Sequence, residues 1–156
     1  MPDDQATHAT LATSYGDIEL ELWPDKAPGH VANFRKLADQ GFYQDLVFHR
    51  VIPDFMIQTG CPLGNGTGGP DWTVAAEFNS ASFRKGTLGM ARAADPDSAG
   101  SQFFICVADC SWLDGKYTAF GRVTAGQDIA DRISQVERDS RDHPHDEIAL
   151  LSVTVR

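Results

Sequence analysis

Arg50, Gln58 and Gln102 are hydrogen-bonding side chains that each lie within a stretch of large apolar residues. Arginine keeps its positive charge at every accessible pH, and glutamine amides do not titrate. A site built from these three residues could therefore donate hydrogen bonds to a polar group without any proton transfer. The simpler interpretation is that Arg50 only covers apolar surface with its aliphatic stem and keeps its guanidinium in water.

The segments that must position Arg50 and Gln58 are residues 46–51 and 55–59, both rich in aromatic and β-branched residues. Such composition is typical of strands, and the Pro-Asp pair at 53–54 predicts a turn between them. We therefore expect a β-hairpin that holds the arginine and the glutamine on neighbouring strands.

Side chains alternate across a strand, so Arg50 should share a face with Phe48, and Gln58 should share a face with Met56. The same alternation places His49 on the face opposite Arg50. The outer face of this hairpin then combines polar and large apolar groups.

The segment 100–107 repeats this combination of polar and apolar residues. If its alternate residues fill the interior of a barrel, Gln102, Phe104 and Cys106 must face outward. Two adjacent faces of this kind predict a groove, bordered by a turn that carries Trp112.

Further strands are predicted at residues 9–13, 17–22, 87–91, 102–107, 118–123 and 148–155. Helical spacing of apolar residues predicts one helix between Pro28 and Gly41, and a second one marked by Ile129, Ile133 and Val136. About eight short strands can close a barrel, so we expect a mainly β fold: a closed eight-stranded antiparallel β-barrel capped by two α-helices.

The chain has 156 residues, which is the size of one domain. Its formal net charge of −9 argues against nucleic-acid binding. We expect a flexible N-terminus over residues 1–8 and a single domain over residues 9–156. No segment resembles a signal peptide or a membrane span, which predicts a cytoplasmic protein that does not bind membranes.

Metal and cofactor sites are not indicated. Cys61, Cys106 and Cys110 lack the spacing of a zinc site or a disulfide framework, so we interpret them as free thiols. The glycine-rich residues 64–69 lack the Gly-Lys-Ser/Thr ending of a phosphate-binding loop. His143 and His145 lack further ligands and are interpreted as a solvated turn.

Six short motifs, in this order, make the chain from about residue 10 to its end resemble cyclophilin-type peptidyl-prolyl cis-trans isomerases of the small bacterial kind. They are Phe48-His49-Arg50-Val51-Ile52, Phe55-Met56-Ile57-Gln58, Asn65-Gly66-Thr67-Gly68-Gly69, Met90-Ala91, Gly100-Ser101-Gln102-Phe103-Phe104-Ile105 and Trp112-Leu113-Asp114-Gly115-Lys116. The resemblance implies an enzyme that accelerates rotation about X–Pro bonds and needs no cofactor or metal.

Site roles follow from the resemblance by position. It implies that Arg50, Gln58 and Phe55 are catalytic, with Arg50 as the cation at the imide nitrogen. Substrate-binding residues are expected at Met56, Gly66, Ala91, Arg92, Gln102, Phe104, Trp112, Leu113 and Tyr117. The implied partners are proline-containing peptides, unfolded or flexible protein segments and cyclosporin-type inhibitors, and we expect a monomer.

The sequence departs from the family pattern at several of these positions. Arg92 stands where the family often has asparagine, and Tyr117 stands where many members have histidine. Thr59 and Cys61 replace a common glycine and aspartate beside the hairpin. Tyr117 changes the rim of the proline pocket.

Two other functions remain open on this fold. The first is a proline-peptide binding module or holdase chaperone with little turnover, although binding alone would not need a cation at the imide nitrogen. The second is a small-molecule-binding barrel, which would need a hollow interior, whereas inward candidates such as Phe103 and Ile105 are large.

Overall fold

The computed structural model describes residues 7–156, which are mainly β with two α-helices, so the predicted fold class is confirmed. The elements are β1 (His8–Thr13), β2 (Gly16–Leu22), α1 (Pro28–Asp39), β3 (Leu46–Val47), β4 (Arg50–Ile52), β5 (Met56–Thr59), β6 (Thr87–Met90), β7 (Phe103–Cys106), β8 (Ala119–Ala125), α2 (Gln127–Ser134) and β9 (Ala149–Val155). Residues 1–6 of the expected flexible N-terminus lie outside the described residues, whereas His8 already pairs within β1.

The strands form one antiparallel sheet in the order β3-β9-β1-β2-β8-β6-β7-β5-β4. Its two edges, β3 and β4, follow each other along the chain but do not pair with each other within residues 7–156. The sheet therefore curls into a barrel that is not fully closed, and the prediction of a closed barrel overstated this. The described part of the chain has nine strands rather than about eight.

The additional strand arises because the predicted strand at 46–51 is interrupted at Phe48 and His49. There the backbone turns toward the C-terminal part of the chain: the Phe48 N–H donates to the Ile148 carbonyl at 2.9 Å, and the Val51 N–H donates to the Asp142 carbonyl at 2.8 Å. The strand order across this break therefore depends on partners distant in sequence.

The inside of the curled sheet is filled by large apolar side chains. The Phe34 ring from α1 lies 5.3 Å from the rings of Tyr43 and Phe103 and 5.5 Å from that of Phe120, and all four residues are fully buried. This packed interior disagrees with the small-molecule-binding barrel, which would need a hollow one.

Helix α1 begins and ends as its sequence predicts, with Pro28 in its first turn and Gly41 at a φ of 73° just past its end. The Glu77 carboxylate accepts the N–H groups of Gly29 at 3.0 Å and His30 at 2.8 Å, which satisfies two backbone donors of the first turn. Helix α2 ends at Ser134, so Val136, predicted to mark it, lies beyond its end.

Strands β5, β6 and β7 are buried at every position, which means that both faces of this part of the sheet are covered. Phe103 and Ile105 point into the main core, while Phe104 and Cys106 belong to a separate apolar cluster on the other face. The alternation predicted for this segment is confirmed, and the second cluster forms the floor of the candidate site.

Candidate active site

A small cavity of about 100 Å³ opens on the outer face of the sheet, above the second apolar cluster. It is lined by Arg50, Phe55, Met56, Gln58, Ala91, Arg92, Phe104, Leu113 and Tyr117. Each of these residues was expected at the site, and four separate stretches of the chain meet there. We call this space the proline cavity, after the ligand that the sequence implies.

Phe104 forms the floor of the proline cavity because neighbouring residues fix the orientation of its ring. It pairs with Gln58 across β5 and β7, its ring stacks on Phe83 at 5.7 Å, and it meets Tyr117 edge to face at 6.0 Å. Gly89 on β6 lies directly beneath, where a Cβ atom would collide with the Phe104 ring. The absent side chain of Gly89 therefore lets the aromatic floor lie flat.

Arg50 stands at the edge of the cavity, directly across from Gln58 in the β4–β5 register. The predicted hairpin is confirmed, with its turn at Asp54, whose φ is 62°. The Arg50 side chain is exposed and makes no ion pair or hydrogen bond with any residue in the range 7–156. Its guanidinium donors are therefore available to a ligand in the cavity.

Gln58 and Gln102 form a fixed pair of amides beside Arg50. The Gln102 Nε2 group donates to the carbonyls of Gly66 and Gly68, each at 3.0 Å, so the orientation of this amide is determined. Its Oε1 atom then accepts from Gln58 Nε2 at 3.0 Å. This leaves the Gln58 Oε1 atom without a hydrogen-bond partner among the described residues.

The loop that holds Gln102 is organised around Cys61, one of the departures from the family pattern. The buried Cys61 Sγ accepts the N–H groups of Gly66 and Gly68, each at 3.3 Å. Burial raises the pKa of this thiol, but the surrounding N–H groups outweigh that effect and lower it. Cys61 thus supplies an acceptor inside the loop, a task that the more common aspartate could also perform.

Thr59, the neighbouring departure, joins β5 to the far edge of the sheet. Its Oγ1 donates to the Val47 carbonyl in β3 at 2.8 Å. The hydroxyl therefore holds the two ends of the curled sheet together next to the site.

His49 was expected on the face opposite Arg50, where its ionisation would reach the groove only weakly. His49 is buried whereas Arg50 is exposed, and the His49 ring lies near Gly66 and Gln102, behind the lining of the side cavity. The side chain is buried, and its Nδ1 atom has no hydrogen-bond partner among the described residues. Burial, together with the charges of His143 and Arg50, lowers the pKa of His49 to about 4, although the nearby Gln102 amide partly opposes this.

A second cavity of about 320 Å³, here called the side cavity, adjoins the proline cavity and shares Ala91 and Arg92 with it. Gly66 and Gln102, both expected to bind substrate, also line it. Its wall includes Trp72, whose indole N–H donates to Asn33 on α1 at 2.7 Å.

Trp112 lines neither cavity. Its side chain is 57% exposed, and its ring lies 5.6 Å from that of Phe55. It therefore extends the rim of the proline cavity outward, beyond Phe55, as a surface on which a larger ligand could pack.

No group of three or more histidine, cysteine, aspartate or glutamate side chains in the range 7–156 could hold a metal ion. In the same range, no helix is long and apolar enough to cross a membrane.

Comparison with known proteins identifies one family. Residues 8–155 match the family model described as cyclophilin type peptidyl-prolyl cis-trans isomerase/CLD. The chain is 51% identical over 119 residues to peptidyl-prolyl cis-trans isomerase B of Bacillus subtilis, an alignment that covers 75% of this chain and 82% of the relative.

It is also 47% identical over 156 residues to peptidyl-prolyl cis-trans isomerase cyp15 of Rhizopus delemar, covering 96% of this chain. The chain spans about a quarter of that relative's length, 24%. Among solved structures, a cyclophilin-type isomerase of Cryptosporidium parvum in the presence of the dipeptide Ala-Pro superposes with a TM-score of 0.91 at 32% identity, over 96% of this chain and 98% of that chain.

The lowered pKa of His49 predicts a specific acid sensitivity of stability. The unfolded histidine protonates near 6.5 and the folded one near 4, so the unfolded state binds more protons between these values. The contribution of His49 to the free energy of unfolding is complete above about pH 6.5 and falls by up to about 3 kcal/mol as the pH drops to about 4. Urea unfolding of wild type and His49→Gln from pH 4 to 7.5 measures this.

We expect the wild-type free energy of unfolding to fall more steeply with acid than that of His49→Gln, because carboxylates contribute equally to both. Parallel curves for the two proteins would show that His49 is not held neutral in the fold.

Proposed function

The chain belongs to the cyclophilin-type peptidyl-prolyl cis-trans isomerase family, and we propose that it accelerates rotation about X–Pro bonds with Arg50 as the catalytic cation. The observation that carries this proposal is an exposed guanidinium without a protein partner in the described chain, beside a small apolar cavity.

The reaction is slow because the imide nitrogen shares its lone pair with the carbonyl. Rotation has a barrier of about 20 kcal/mol, and uncatalysed exchange takes tens to hundreds of seconds. In the twisted state the lone pair is localised on nitrogen. A hydrogen-bond donor directed at that nitrogen therefore binds the twisted state more strongly than the planar one, and this difference accelerates the reaction.

Arg50 supplies such a donor at any working pH. Arg50 faces Gln58 across the hairpin, and the Gln58 amide oxygen is free to accept from the guanidinium or from the peptide. The two side chains would hold the imide group from one side, while Phe55 at the cavity edge restricts its position.

Phe55, Met56, Phe104 and Leu113 would receive the proline ring. Three of these four side chains are buried, so the cavity offers an apolar surface with little water. The carbonyl is less dipolar in the twisted state than in the planar amide, so an apolar environment disfavours the twisted state less. Each ~1.4 kcal/mol of such a difference corresponds to tenfold in rate.

The remaining residues would bind the flanking peptide. Gln102 is fixed by two backbone carbonyls, and Gly66 and Ala91 lie along the side cavity where an extended chain would continue. The proposed substrates are proline-containing peptides and unfolded or flexible protein segments. The solved relative determined in the presence of Ala-Pro supports a dipeptide of this type as the minimal ligand.

We propose one isomerase domain over residues 9–156, acting as a cytoplasmic monomer. The family match over residues 8–155 and the single sheet support one domain. A net charge of −9 disfavours self-association.

Changing Arg50 tests the proposal against a holdase that only binds. We expect Arg50→Ala to lower kcat/KM by about 10²–10³, the scale for losing a preorganised donor. Arg50→Lys should rescue poorly, because a compact, strongly hydrated ammonium lacks the planar fork. The measurement is the catalysed rate on an Ala-Pro peptide, corrected for the spontaneous rate.

Arg122→Ala is the matched control, since Arg122 is an exposed arginine that pairs with Glu21 away from both cavities. Near wild-type turnover in folded Arg50→Ala would leave the binding module as the better account.

Cyclosporin-type inhibitors are the second ligand class that we propose, with Trp112 as part of their binding surface. The exposed indole beside Phe55 supports this. We expect cyclosporin to inhibit the wild type, and Trp112→Ala to weaken that inhibition by about tenfold or more, as for a truncated aromatic anchor. Leu151→Ala, which truncates another exposed apolar residue, should leave the inhibition unchanged. Equal inhibition of wild type and Trp112→Ala would remove Trp112 from the binding surface.

A further inference from the structure

Arg92 and Tyr117, two departures from the family pattern, contact each other in the structure. The Arg92 guanidinium carbon lies 4.5 Å from the centre of the Tyr117 ring. Both residues line the proline cavity, and Arg92 also lines the side cavity. Arg92 therefore forms part of the boundary between the two cavities, and Tyr117 contacts its guanidinium from the side of the proline cavity.

The partners of Arg92 are all neutral. Its Nη1 atom donates to the Ala93 carbonyl at 2.9 Å and the Ala94 carbonyl at 3.4 Å, and its Nη2 atom donates to the Lys116 carbonyl at 2.7 Å. The buried Nε–H has no hydrogen-bond partner among the described residues. No carboxylate within residues 7–156 pairs with Arg92, so its charge is held in place but not neutralised.

The side cavity around this charge contains no acidic side chain. Its lining consists of Gly66, Thr67, Gly68, Gly69, Pro70, Trp72, Thr73, Ala91, Arg92, Ala93, Ser98, Gly100, Ser101 and Gln102. A second cation lies behind the wall, because Lys36 Nζ is 4.3 Å from the centre of the Trp72 ring.

Three aspartates lie next to this lining in sequence, but none belongs to it. Asp97 accepts the Ala76 N–H, Asp95 accepts the Asp97 N–H, and Asp71 is exposed. Arg92 is therefore the one charged residue among the described residues that line the side cavity, in a chain whose net charge is −9.

We propose that Arg92 makes the side cavity a subsite for an acidic side chain of the peptide, within three residues of the proline. The proposal rests on the function proposed above, since it assumes that the proline occupies the neighbouring cavity. A carboxylate entering the side cavity would meet a guanidinium that three backbone carbonyls hold in place and that keeps one Nη2 donor unused, with Thr73 in the same lining. The volume of about 320 Å³ accommodates a glutamate side chain.

The net negative charge of the protein would by itself predict the opposite preference. If long-range electrostatics alone governed binding, the negative chain would favour basic peptides over acidic ones. A preference for glutamate over its neutral isostere therefore has to come from local groups. Arg50 is the other cation at the site, so the contribution of Arg92 must be separated from it by mutation.

The test uses a series of peptides that contain Ala-Pro. In each peptide, one of the three positions before or the three positions after the Ala-Pro unit carries glutamate, glutamine or lysine. Both kcat/KM and Kd, the latter by fluorescence anisotropy, are measured for each peptide. At one position we expect the wild type to favour glutamate over glutamine by about fivefold at low salt, the scale of a partly exposed charge pair. High salt should reduce this ratio toward one.

Arg92→Gln keeps the length of the side chain and removes the charge, so the ratio should fall to one or below. Arg92→Glu should favour lysine at the same position. Tyr117→Phe preserves the ring face that contacts the guanidinium and should keep the wild-type ratio. Arg122→Gln, outside both cavities, should also keep it.

The proposal is overturned if no position favours glutamate by more than about twofold in Kd, which lies in the lower part of the range for exposed charge pairs, or if Arg92→Gln keeps the preference. Turnover of the glutamine peptides separates this outcome from failure of the proposed function. If the enzyme isomerises glutamine and glutamate peptides equally, the proposed function stands and the acidic subsite is disproved. If the protein binds glutamate peptides selectively but does not turn them over, the subsite stands and the isomerase mechanism is disproved.

Discussion

The burial of strands β5 and β7 on both faces is the constraint on which the site depends. Phe103 and Ile105 are held by the aromatic core, so Phe104 and Cys106 between them have to point outward. A second apolar cluster covers them, and its surface is the floor of the proline cavity. Because the register of the sheet also fixes Gln58 opposite both Arg50 and Phe104, a one-residue slip would dismantle core and site together. The core thus fixes the strands that carry Gln58 and Phe104 of the candidate site.

The site combines this rigid floor with an uncompensated cation. Arg50 projects from the short edge strand β4 and has no partner among the described residues, whereas Gln58 and Gln102 are fixed by a chain of hydrogen bonds that ends on the loop around Cys61. Because the Arg50 guanidinium is exposed, it stays hydrated without a protein partner and contributes little to folding. This division between fixed amides and an available donor suits a reaction in which charge is redistributed and no bond to a heavy atom forms.

Local patterns predicted the elements well because each depends on neighbours in sequence. Turn-forming residues predicted the hairpin at Pro53 and Asp54 and the start of α1 at Pro28. The two-residue period of a strand predicted the alternation through residues 103–106. The resemblance supplied the cavity-lining residues. Sequence could not supply partners distant along the chain: the N–H groups of Phe48 and Val51 bond to the carbonyls of Ile148 and Asp142 where the predicted strand is interrupted. The roles of Thr59 and Cys61 depend in the same way on the folded loop.

In the proposed mechanism a guanidinium donor catalyses rotation about the X–Pro bond without proton transfer. The most direct measurement is kcat/KM on an Ala-Pro peptide between pH 6 and 9, corrected for the spontaneous rate. The lowered pKa of His49, about 4, places its titration outside this range, and Arg50 and the glutamines keep their charge states throughout. We predict a variation of less than about threefold. A bell-shaped profile, or a fall centred near the ordinary histidine value of about 6.5 that disappears in His49→Gln, would contradict the account, because either would require a titrating group in the catalysed step.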